Sequence, residues 1–88
     1  MSALSERNEL LRQVQTNTKE GAESAGQAEQ QFENLASQAQ SSIGDTDLGD
    51  RVVSVLQQAA GEMNDIMKAL TDASEQMDTY LKAFGSTK

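Results

Sequence analysis

Proline, the commonest stop signal for a helix, occurs nowhere in the 88 residues, and turn-forming residues gather in one place only. That place is Ser41-Ser-Ile-Gly-Asp-Thr-Asp-Leu-Gly-Asp50, with helix-compatible sequence on both sides. Gly44 suits a left-handed residue closing a first helix, and Asp45, Thr46 or Asp47 suits the N-cap of a second. The chain therefore reads as all-α, an antiparallel two-helix hairpin: helix one at about 3–42, a turn at 43–47 and helix two at about 48–84. At this length one domain, residues 1–88, is expected rather than two separate cores.

Helix two carries the stronger repeat. Leu56, Met63, Leu70, Met77 and Phe84 recur every seven residues, with Val52, Ala59, Ile66, Ala73 and Tyr80 as the companion row. Val53, Ala60, Met67 and Leu81 widen the stripe beyond what a two-stranded seam needs. Helix one shows the period more faintly, through Leu4, Leu11, Thr18, Ala25, Phe32 and Ala39, with Val14, Gly21, Ala28 and Leu35 as its companion row. Its middle is small, and Gly21, Gly26, Thr16 and Thr18 weaken local helicity, so helix one is expected to be the less stable.

Helices of roughly 38 residues at 1.5 Å per residue make a rod about 55 Å long, which cannot hide a wide stripe on its own. The flanks of helix two, among them Val53, Val55, Met67 and Leu81, are expected to stay partly wet. An exposed apolar strip marks a protein interface, and a second hairpin completing a four-helix bundle would cover it. The expected partner-binding residues are Leu4, Leu11, Val53, Leu56, Met63, Met67, Leu70, Met77, Tyr80, Leu81 and Phe84. The richest patch is placed where Leu4 and Leu11 meet Leu70, Met77, Tyr80 and Phe84.

Composition narrows the chemistry. There is no Cys, His or Trp, hence no thiolate nucleophile, no imidazole base and no soft metal site. Asp45, Asp47 and Asp50 have the alternate spacing of a calcium loop, but position 56 is Leu where that loop needs Glu, so they read as helix-capping acids. Tyr80 with Lys68 or Lys82 has no spacing that supports a catalytic pair. The chain is read as a non-enzyme without cofactor or metal. A net charge of -7 argues against nucleic acid. Apolar runs such as Val52-Val53 stop at two residues, far below a membrane span. The N-terminus lacks the apolar stretch of a cleavable signal peptide, so any secretion is expected by a route that reads no such signal.

Two long helices of nearly equal length, acidic and cysteine-free, around a turn reading Ser42-Ile43-Gly44, resemble the small helical-hairpin proteins of type VII secretion, the Trp-X-Gly family. The turn motif is Ile43 and Gly44, with Ser42 where that family has Trp. The family's tail motif, an aromatic residue followed four residues later by Asp or Glu, is also altered: Tyr80 is followed by Phe84, and Phe84 by Lys88. The resemblance implies a diverged relative that is either secreted itself or serves as a targeting partner for the N-terminal helical domain of a Leu-X-Gly toxin. The residues alone equally allow a self-associating structural or adaptor bundle, a homodimeric coiled coil unrelated to secretion.

Overall fold

The computed structural model describes the backbone of residues 3–85 and the side chains of residues 5–84. Helix α1 runs Ala3–Ile43 and helix α2 runs Asp47–Tyr80, and α2 continues into one wider, π-helical turn at Leu81–Gly85. The two helices lie antiparallel in a rod 64 × 16 × 13 Å. Among the described residues there is no strand, and the architecture is an all-α helical hairpin.

The turn is closed differently from the sequence expectation. Gly44 does not adopt a left-handed conformation. Its N–H donates to the Gln40 carbonyl at 3.1 Å, and the Thr46 N–H donates to the Ile43 carbonyl at 3.2 Å. Thr46 is the extended N-cap of α2. Its hydroxyl donates to the Ile43 carbonyl at 2.9 Å and accepts from the Gly49 N–H at 2.9 Å, so one side chain satisfies both helix ends. Asp47 and Asp50 place negative charge on the first turn of α2, where the helix dipole favours it. Neither glycine of the turn can be replaced, because a Cβ at Gly49 would overlap the Ile43 carbonyl and one at Gly44 the Gln40 carbonyl.

The seam between the helices is narrow and rotated from the expected one. On α1 it is formed by Leu11, Thr18, Ala25, Phe32 and Ala39 with Asn8, Gln15, Ala22, Glu29 and Ala36, all buried or half-buried. On α2 it is formed by Val53, Ala60, Met67, Ser74 and Leu81 with Leu56, Met63, Leu70 and Met77. One expected row of each helix is therefore in the seam. In the companion rows Val14 and Leu35 on α1, and Val52 and Ile66 on α2, are exposed, whereas Gly21, Ala28, Ala59, Ala73 and Tyr80 are half-buried at the seam's edge. The small middle of α1 has a partner in kind: Leu70 lies over Gly21 and Met67 over Gly26, each 3.1–3.3 Å from where a Cβ would sit.

Burial is modest. Ala25, Ala36, Val53, Ala60 and Leu81 are the buried apolar residues, and three of these five are alanines. With about 0.8 kcal/mol gained per buried methylene, such a seam supplies little beyond the ordering of two long helices.

Candidate docking surface

The two long sides of the hairpin differ sharply in what they carry. On one side α1 presents Val14, Gly21, Ala28 and Leu35 with Leu10, Asn17, Ser24, Gln31 and Gln38, and α2 presents Val52, Ala59, Ile66, Ala73 and Tyr80 with Leu48, Val55, Glu62, Ala69, Gln76 and Ala83. In a chain with 21 charged residues, these rows hold one, Glu62, with Arg7 added at the open end. Most of the exposed large apolar side chains lie here, led by Leu48 at 72% exposure, with Val55, Leu10 and Val14 behind it. At the open end Leu10, Leu11, Val14, Met77 and Tyr80 line an apolar concavity of about 510 Å³, with Arg7 and Gln76 at its rim.

The other side is polar. Gln15 Nε2 donates to the Ser74 carbonyl at 3.1 Å, and Asn64 Nδ2 donates to Glu29 Oε1 at 3.2 Å, two bonds that tie the helices together. Lys82 pairs with Asp78 at 3.1 Å on the surface. The hydrogen bond from Lys82, then its charge, hold the Asp78 carboxyl below its ordinary value of 3.8. The cleft on this side is lined by Glu29, Glu33, Gln40, Gln57 and Asn64 among others.

The residues expected to bind a partner divide between seam and surface. Val53 and Leu81 are buried in the hairpin's own seam, which corrects the expectation that they stay wet. Leu11, Leu56, Met63, Met67, Leu70 and Met77 are half-buried in that seam; Leu11 and Met77 also line the apolar concavity. Tyr80 lies on the uncharged side, its ring 4.8 Å from that of Phe84, which is exposed. The side chain of Leu4 lies outside the described residues. Ile43 is exposed beside the turn and Gly44 is half-buried. Val55 is exposed as expected, whereas Val14, Leu35, Val52 and Ile66, read from the sequence as core rows, and Leu10 and Leu48, not singled out there, form the part of this surface that sequence reasoning missed. The signal was present as an absence of charge along two adjacent rows of each helix.

Among the described residues no group of three acidic side chains comes together to hold a metal ion, and no helix is long and apolar enough to cross a membrane. Compared with family models, curated proteins and solved structures, the chain matches none of them.

Proposed function

We propose that the chain is a non-enzymatic docking hairpin that pairs through its uncharged side with another helical protein to complete a four-helix bundle. The observation that carries this reading is the segregation of charge. A side about 64 Å long, holding Leu10, Val14, Leu35, Val52, Val55 and Ile66 with one acidic residue among them, is a poor surface to leave in water. The thin, alanine-rich seam adds to it, since two long helices gain most of their stability from packing and this pair has buried little.

The resemblance to the Trp-X-Gly hairpins supplies the setting. In that reading the protein acts in type VII secretion, as a secreted substrate or as the targeting partner of a Leu-X-Gly toxin, in the bacterial cytoplasm or exported without a cleavable signal. A partner bearing the tail motif would compensate for Tyr80 and Phe84, which are not followed by an acid at the required spacing. Co-expression with the N-terminal domain of a Leu-X-Gly toxin from the same genome tests this. A stable complex is expected with wild type and with Thr71→Glu on the polar side, and no complex with Ile66→Glu. Wild-type protein that ignores every such domain overturns the toxin-targeting role.

A further inference from the structure

We infer that, when no other partner is present, the uncharged side is covered by a second copy of the same chain lying antiparallel to the first. The inference rests on the reading of that side as the docking surface and adds the occupant and its direction. Any protein that covers a side so poor in charge must itself bring few charges, because those it buried would find no partners there. The chain's own uncharged side meets that requirement.

Its relief does too. Gln15 lies beside Ser74 and Glu29 beside Asn64, so the middle of α1, near residue 23, lies beside residue 68 or so of α2. Apart from Ile66, the residues at that level are small: Gly21, Ser24 and Ala28 on α1, Ala69 and Ala73 on α2. The other large ones stand toward the ends. A two-fold axis across the middle of the rod sets Ile66 against the partner copy's Ala69 and Ala73, and small against small on α1. It sets Leu10 and Val14 against the partner copy's Leu35, and Tyr80 against its Val52 and Val55.

Charge selects the direction. Among the described residues, 3–22 and 69–85 of the open half carry four basic and six acidic residues, a net of -2, whereas residues 23–68, the turn half, carry two basic and eight acidic, a net of -6. A parallel copy would bring the two strongly negative halves together, and an antiparallel one sets each against the weakly charged half. The side also offers enough area: 64 by 16 Å is about 1,000 Å² in projection, against about 800 Å² per partner in a stable complex.

The test is sedimentation equilibrium of the full chain at micromolar concentration, joined to disulfide trapping in this cysteine-free background. A dimer is expected, and Ile66→Glu should raise its dissociation constant by at least about tenfold while circular dichroism stays helical. Ser24→Cys, near the axis, should form a disulfide-linked dimer on mild oxidation. Gln38→Cys should not, since antiparallel copies hold it about 45 Å from its counterpart at 1.5 Å per residue. Cross-linking of Gln38→Cys as readily as Ser24→Cys overturns the antiparallel direction, and undiminished dimerisation of Ile66→Glu overturns the surface itself. A wild-type chain that stays monomeric yet binds a toxin domain overturns the second copy as occupant and leaves the proposed function standing.

Discussion

Val52 and Val53 are neighbours in sequence and chemically identical, yet Val53 is 5% exposed in the seam while Val52 is 43% exposed on the uncharged side. The same contrast runs the length of the hairpin. Polar groups on one side are spent on bonds between the helices, as at Gln15 and Asn64, whereas on the other side apolar groups are left without a use inside the monomer. A sequence selected only to fold as a hairpin would have no reason to keep Leu10, Val14, Leu35, Val52, Val55 and Ile66 in water. They are better explained by a complex than by the fold.

The largest effect should come from placing a charge on the uncharged side. Ile66→Glu is expected to cost several kcal/mol of binding, because its carboxylate would be desolvated without a partner, whereas Thr71→Glu on the polar side leaves affinity unchanged. Titration calorimetry or sedimentation of both variants checks this, and equal losses would erase the distinction between the sides. Met77→Glu is a less clean probe, since Met77 is half-buried in the seam and its replacement strains the hairpin as well.

Next in size is the pair of valines. Val53→Ala should lower the stability of the hairpin by about 2 kcal/mol, and Val52→Ala by less than about 0.5 kcal/mol at concentrations where the chain is free. Chemical denaturation read by circular dichroism measures both. A Val52→Ala loss as large as that of Val53→Ala would place Val52 in the core after all.

A smaller gain is expected at the open end. Asn8 is 5% exposed, and its Oδ1 accepts no hydrogen bond. A buried acceptor in that state costs about 1–3 kcal/mol, so Asn8→Leu should raise the melting temperature, and a lower one would mean that the amide has a role in fixing how the helices pair.

The smallest effect lies on the polar side, at Asp78 and Lys82. Because the folded carboxyl titrates below its ordinary value of 3.8, its contribution is present above that value and fades as the pH falls through the lowered one. Both groups are largely exposed, so the contribution is strongly screened. Lys82→Ala should weaken the salt-sensitive part of that decline without abolishing it, since Gln15 and Lys19 also lower the Asp78 carboxyl. Acid titrations of the two proteins at low and high salt make the comparison.

Much of the fold was legible because its signals are local: the missing prolines, the single turn cluster and a seven-residue repeat in each half. The turn chemistry was half legible. Thr46 stood among the capping candidates, but closure by ordinary backbone bonds at Gly44, with Gly49 against the Ile43 carbonyl, depends on how the second helix approaches the first. The seam was misread by about one position around each helix for a physical reason. Hydrophobicity ranks Val14 and Leu35 above Gln15, Glu29 and Ala36, but close approach of two helices rewards small or bonded side chains, and Gln15 and Glu29 bond across the interface. Larger apolar groups were assigned to a core that has no room for them. Part of the docking surface was hidden by the same error, since Val14, Leu35, Val52 and Ile66 had been counted as core, while Val55 was already expected on the wet flank.

The most direct test of the account is a residue-resolved one: methyl and amide NMR spectra of the chain, free at high dilution and again in its complex, whether with a toxin domain or with a second copy. The account predicts that the signals of Leu10, Val14, Leu35, Val52, Val55 and Ile66 shift on association while those around Gln15, Asn64 and Asp78 stay in place. Shifts concentrated around Gln15, Asn64 and Asp78, or spread evenly over both sides, would contradict it.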